Sequence, residues 1–307
     1  MAESATDSQI VLRLRHCLTA PFRGRLYFMA NLTLRPVEIL KTVINYDEWF
    51  AEAPTVELWA RKFYREYAGI DDEEELKKHL MEVRESAWKV YKYRCVASFY
   101  FVNYNLGETY GQQWYASIIR RLKSGEKLLD LACAFGHAAR NLVYDGAPEE
   151  NVISGDLRQG FWDLGYQLYR DKDKFHGVFH QGDFFDPTYL QEYVGKFDMI
   201  HNSAFLHLFD LPQQYEIVER LLQLLSNKPG TVLFGRTVGN SITCTMTHPE
   251  RPGQLFYQHN EESFREMWKH VISDEKWDVN VRFYTREGNI APNGGLHGRL
   301  VFIITRI

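Results

Sequence analysis

The stretch EKLLDLACAFGHAARNLVYDG, residues 126–146, decides the fold. A short apolar run at 127–131 carries Asp130 near its end. It passes through small residues and becomes helix-compatible from His137. Strand, tight turn and helix in that order bring backbone N–H groups and a helix N-terminus up to a nucleotide-like ligand. The spacing imitates an acid followed by three alternating glycines, but the three positions read Ala132, Ala134 and Gly136. A methyl group there is tolerable where φ is negative and costly where φ is positive. The loop is therefore a weak signal alone, and the residues around it must carry the reading.

Downstream, short apolar runs alternate with helical patterns. Strands are expected at 127–131, 152–156, 178–182, 197–202, 231–237, 281–285 and 300–305. Helices are expected at 138–144, 161–169, 189–194, 212–225 and 261–271. Such alternation predicts a mostly parallel sheet covered on both faces. The last two strands have no helix-sized insert between them and read as a hairpin-like pair. Asp156, followed by Leu157, closes the second strand, where a doubly wound fold holds a ribose through its hydroxyls. Asp183-Phe184 follows the third strand and suits an adenine, the acid accepting from the amino group and the ring flanking it. His201-Asn202-Ser203 closes the fourth strand, with His207 just beyond it. All lie at carboxyl ends of strands, where open α/β sheets bind ligands.

Upstream, residues 36–120 read as helical. One helix is expected from Pro36, a second over 54–67, and a third starting in the acidic run 71–75, where the charge complements the helix dipole. Residues 93–115 are dense in aromatics without a clean period. They suit core filling or one wall of an apolar pocket, with Tyr100 and Tyr104 as candidate lining and His259 reaching in from before the last helix. Residues 1–35 read as an extension. The expected organisation is thus 1–35 extension, 36–120 helical cap, and 121–307 ligand-binding domain.

A net charge of −4 gives no electrostatic reason to expect nucleic acid or an anionic membrane as a partner. The four cysteines, at 17, 95, 133 and 244, form no metal-binding or disulfide spacing. No apolar run approaches a membrane span, and the N-terminus offers no clear leader, so a cytoplasmic location and no metal are expected. An aromatic-rich cap could also serve as a homodimer surface.

The order of strand-end residues matches the class I S-adenosylmethionine-dependent methyltransferases better than nicotinamide enzymes. The segments ESAWKVYKYRC (85–95), LKSGEKLLDLACAFG (122–136), NLVYDGAPEENVISGDL (141–157), FWDLGYQLYRDKDKF (161–175) and LFYQHNEESFREMWKHV (255–271) resemble those of fungal secondary-metabolite methyltransferases of the meroterpenoid-pathway type. The likeness spans roughly residues 36–307. It implies a Rossmann-like α/β fold: seven strands, mostly parallel, with a helical cap. It also implies S-adenosylmethionine as cofactor and O-methyl transfer to a carboxylate or hydroxyl of a polyketide or terpenoid intermediate. By position, the cofactor residues would be Asp130, Ala132, Gly136, Asp156, Leu157, Asp183, Phe184 and Asn202. A carboxylate acceptor is already ionised and needs no base. A hydroxyl acceptor would benefit from one, and His207 is the first candidate, with His201 a weaker one. The alternative is a methyltransferase-fold cyclase or isomerase that keeps the cofactor pocket without transferring a methyl group.

Overall fold

In the computed structural model, residues 39–40, 46–247, 253–272 and 276–307 are described. Strand β1 (Ile39–Leu40) is followed by five helices: α1 (Leu58–Glu66), α2 (Glu73–Val90), α3 (Arg94–Ala97), α4 (Leu106–Tyr110) and α5 (Gln112–Lys123). The chain then alternates through β2 (Leu128–Leu131), α6 (His137–Tyr144), β3 (Val152–Asp156), α7 (Gln159–Tyr169), β4 (Val178–Gln181), β5 (Met199–Ser203), α8 (Leu211–Leu224) and β6 (Val232–Asn240). It ends with β7 (Cys244–Thr247), β8 (Leu255–Gln258), α9 (Glu261–Val271), β9 (Trp277–Ile290) and β10 (Leu296–Arg306).

Seven strands form one sheet in the order β4-β3-β2-β5-β6-β10-β9. β2 through β6 run parallel, and β10 is antiparallel to both of its neighbours. The opening motif thus lies on the central strand, and the order reverses between β2 and β5, where such sheets open a ligand crevice. This is the seven-stranded Rossmann-like sheet expected from the alternation. β2 is buried along its whole length, as a strand covered on both faces must be.

One face of the sheet packs Leu129, Ile153, Ile200 and Leu233 against Val218, Leu221, Phe264 and Trp268 of α8 and α9. The other packs Leu128, Met199 and Phe234 against Ile118, Leu122 and Leu142 of α5 and α6. A third cluster joins Tyr64, Leu80 and Val83 of α1 and α2 to Phe161 and Leu168 of α7, so the cap helices sit in one compact unit with the sheet. Each fully buried side chain of this size contributes about 1.5–3 kcal/mol. Helices α2, α8 and α9 begin at side-chain caps: Asp72 accepts from Glu75 N–H, Asp210 from Gln213 N–H, and Asn260 exchanges hydrogen bonds with Ser263.

Some local expectations fail. The segment 189–194 forms only a single 3₁₀ turn, Gln191–Tyr193, entered through Leu190 at φ +58°. The helix expected over 54–67 starts at Leu58, because Asn103 holds the preceding chain extended: its side chain accepts from Glu57 N–H and donates to Thr55 O. The helix expected from Pro36 lies partly outside the described residues, and the extension 1–35 lies wholly outside them; Ile39–Leu40 is a strand, parallel to β7. β7 and β8 occupy a stretch that shows no period in sequence, because strands of four residues are too short to display one.

Candidate active site

The loop after β2 is left-handed at all three motif positions: Ala132 has φ +60°, Ala134 +46° and Gly136 +67°. A non-glycine residue in this region costs about 1–2 kcal/mol. The end of β3 holds the strained chain in place. Ala132 N–H donates to Gly155 O at 2.8 Å, and Ala134 N–H donates to Asp156 Oδ2 at 3.0 Å. Asp156 Oδ1 accepts from Arg158 N–H at 2.8 Å. Burial raises the Asp156 carboxyl above its ordinary range, and these two N–H donors oppose that shift.

Behind the loop, Arg140 is completely buried, paired with the equally buried Asp171 at 2.6 Å. Its Nη1 donates to Phe135 O at 2.7 Å, and it is enclosed by the rings of Trp162, Tyr166, Tyr169 and Phe175. Tyr67, at the end of α1, donates to Asp171 at 2.9 Å and ties the cap to the same pair. A Cβ on Gly136 would lie 2.6 Å from Arg140 Nη1 and 2.7 Å from the Trp162 ring, so glycine is required there for space as well as for φ.

Of the other expected cofactor residues, Asp183 and Leu157 are exposed at the strand ends. Asp183 Oδ1 accepts from Phe185 N–H at 3.0 Å. Phe184 turns into the core, edge-on to Phe205, with Arg220 stacked on its ring. Asn202 is buried, and its Nδ2 has no partner. The Asp130 carboxylate turns away from the loop and accepts from His201 Nδ1 at 2.6 Å. His201 Nε2 in turn is 2.6 Å from the Tyr104 hydroxyl.

Tyr104 belongs to a cationic and aromatic wall. Arg236 of β6 lies 4.4 Å from the Tyr104 ring and 5.2 Å from Tyr100, and Arg299 of β10 lies 3.9 Å from Tyr100. Arg236 donates to Ser203 Oγ at 3.2 Å and to the Tyr100 hydroxyl at 3.5 Å. Neither guanidinium pairs with a carboxylate of any described residue. Phe101, stacked on Phe135 at 4.9 Å, and the buried His137 extend the same wall. Burial pulls the His137 imidazole down to about 3.

The structure places the two other candidate histidines differently from the sequence reading. His207 Nδ1 accepts from Val238 N–H at 3.4 Å and lies 3.2 Å from Thr237 Oγ1. That leaves the proton on Nε2, and burial lowers the imidazole to about 4. In this tautomer His207 offers a donor rather than a base. His259 is buried among Tyr257, Ser263 and Phe264, within the core under α9, and does not join Tyr100 and Tyr104.

The residues missed in sequence did leave a trace. Arg236 and Arg299 each interrupt an otherwise apolar strand, in VLFGRTV and GRLVFIIT. An arginine in such a run needs a local reason to be there.

Among the described residues no helix is long and apolar enough to cross a membrane, and no group of acids, histidines and cysteines could hold a metal. Residues 49–102 match the model of the meroterpenoid methyltransferase N-terminal domain. The chain is 31% identical to the asnovolin E/chermesin D methyltransferase nvfJ of Aspergillus novofumigatus, over 88% of this chain and 96% of that protein. It is 36% identical to the O-methyltransferase phiE of a fungal species (strain ATCC 74256), over 65% of this chain and 67% of that protein. It also resembles, at 14% identity and a TM-score of 0.46, the 1,6-didemethyltoxoflavin-N1-methyltransferase of Burkholderia thailandensis, over 75% of this chain and 90% of that one. The chain belongs to the S-adenosylmethionine-dependent methyltransferases of fungal secondary metabolism, in the group that carries the meroterpenoid methyltransferase N-terminal domain.

Proposed function

We propose that the chain is an O-methyltransferase whose acceptor is a carboxylate or acidic hydroxyl of a polyketide or terpenoid intermediate. The observation behind this reading is the pair Arg236 and Arg299. They stand on an aromatic wall at the carboxyl edge of the sheet, and no carboxylate of any described residue pairs with them. Two such guanidinium groups suit an acceptor oxygen that is anionic when the methyl group arrives, and the rings of Tyr100, Tyr104 and Phe101 suit an apolar skeleton.

The donor side fits S-adenosylmethionine. Asp156 stands at the ribose position with acceptor capacity beyond its two N–H bonds. The first turn of α6 has no side-chain cap, and Asn202 Nδ2 is an unpaired buried donor. Gly136 leaves space that a side chain would fill. When bound, the cofactor supplies an activated methyl group on a sulfonium. The chain's part is to hold donor and acceptor in line and exclude water, which can supply on the order of 7–11 kcal/mol. In this arrangement the cap residues 93–115 contribute the acceptor wall, and residues after 121 contribute the donor crevice.

The test is product analysis with S-adenosylmethionine and a panel of polyketide and terpenoid acids and phenols. Methylation on oxygen is expected, and mild base distinguishes ester from ether. Arg236→Gln should lower kcat/KM by about 10–100-fold, the worth of one charged hydrogen bond, while cofactor affinity stays unchanged. Methylation on carbon or nitrogen, or a fully active Arg236→Gln, contradicts the reading.

A further inference from the structure

Tyr104, His201 and Asp130 form a hydrogen-bonded line from the acceptor wall into the centre of the sheet, with both contacts at 2.6 Å. Asp130 and His201 are register partners on β2 and β5, facing each other where the strand order reverses. Both are buried, whereas Tyr104 is partly exposed beside Arg236 and Ser203. The direction of the line follows from the donor inventory. A carboxylate only accepts, so His201 Nδ1 carries a hydrogen, and in the neutral ring Nε2 keeps a lone pair. Tyr104 therefore directs its proton inward to Nε2, and its oxygen turns a lone pair outward.

Two observations separate this line from a structural hydrogen-bond chain. Asp130 Oδ2 is buried without any partner, whereas buried carboxylates held for stability normally have both oxygens satisfied. Among the described residues, the one side chain that hydrogen-bonds to Asp130 is His201, the member of the line that can become a cation. In addition, burial pushes the Tyr104 hydroxyl up to about 12, so an isolated tyrosinate is not available as a base and the proton has to be passed on.

We infer that Tyr104, His201 and Asp130 are a proton relay that deprotonates a hydroxyl acceptor during methyl transfer. This rests on the O-methyltransferase reading and narrows its acceptor to one that includes a phenol or enol. As the acceptor oxygen bonds to the methyl carbon and the carbon–sulfur bond breaks, the acceptor O–H breaks and its proton moves to Tyr104 oxygen. The proton of Tyr104 moves to His201 Nε2, and the resulting imidazolium is held by Asp130. After product leaves, the proton returns through Tyr104 to solvent. Tyr104 is the catalytic residue, while His201 and Asp130 act through it as positioning residues.

The groups facing Tyr104 are Arg236 from β6, Ser203 and His201 from β5, Tyr110 from α4, and His137 from α6 at 5.9 Å between rings. His137, held at about 3 by burial, stays neutral from pH 6 to 9 and contributes no titration there.

The test compares the wild type with Tyr104→Phe and His201→Gln on a phenol acceptor and on the matching carboxylic acid, across pH 6–9. On the phenol, Tyr104→Phe should lose about 100-fold or more in kcat at pH 7. That loss should shrink as pH rises toward the phenol's own pKa, with KM for S-adenosylmethionine unchanged. On the acid the loss should be at least tenfold smaller. His201→Gln should follow the same pH pattern. The relay is overturned if Tyr104→Phe keeps wild-type kcat on the phenol, if the loss is equal on both acceptors at every pH, or if the wild type methylates only carboxylates. Failure of the broader reading looks different: the wild type itself then methylates no oxygen acceptor.

Discussion

The loop at 132–136 and the wall of Tyr100, Tyr104, Arg236 and Arg299 meet at the same strand ends but are held by different means. The loop is fixed through main-chain atoms. Its N–H groups bond to Gly155 O and Asp156, and its Phe135 carbonyl is held by the buried Arg140. The wall consists of side chains from the cap, β6 and β10, joined by ring stacking and long hydrogen bonds. Main-chain bonds fix the loop with little dependence on which side chains are present, so they tolerate alanine at two glycine positions. A wall of side chains can be altered one residue at a time. Rigidity of the loop and substitutability of the wall follow from what holds each one.

The largest single-residue way to break this contrast is to remove the support behind the loop. Asp171→Ala leaves Arg140 charged, buried and unpaired, which costs on the order of 3–5 kcal/mol. It also releases Tyr67 of the cap. Chemical denaturation should show that loss, and an essentially unchanged midpoint would contradict the role given to the pair.

Acid should act next. His137, His207 and His259 are held at about 3, 4 and 3, all by burial. Because their folded values lie below the ordinary value near 6.5, the unfolded chain binds protons that the folded chain refuses. Their contribution is fully present above pH 6.5 and is lost as pH falls toward 4, by about 1.4 kcal/mol per unit for each histidine. The melting temperature should therefore drop steeply below pH 6, and His207→Gln should flatten the slope. A melting temperature independent of pH between 7 and 4.5 would show that these imidazoles are not buried neutral.

The smallest effect has the clearest sign. Ala132→Gly and Ala134→Gly usually would destabilise by entropy, but here each should stabilise by about 1 kcal/mol, because each relieves a left-handed alanine. A loss of stability on both changes would mean that the loop is not left-handed at those positions.

The sequence shows the sheet well, for a physical reason. Parallel strands buried on both faces leave continuous apolar runs, and their ends are marked by Asp130, Asp156 and Asp183. What stays hidden depends on distance along the chain. Tyr104 meets His201 across 97 positions, and Tyr100 meets Arg236 across 136, so no local spacing announces them. Asp130 carries a second lesson: its place near the end of the central strand is legible, but its partner depends on the register between β2 and β5. The direction of the His207 imidazole likewise depends on Thr237 and Val238, thirty residues away in chain and adjacent in space.

The central claim is that this chain still binds the methyl donor through a loop with two substituted glycines, and calorimetry tests it most directly. Titration with S-adenosylmethionine and S-adenosylhomocysteine should give dissociation constants in the micromolar range. Asp156→Ala, shown to be folded by circular dichroism, should weaken both by at least about 100-fold, since it removes a half-buried charged acceptor together with the anchor of Ala134. A folded wild type that takes up neither ligand would contradict the account.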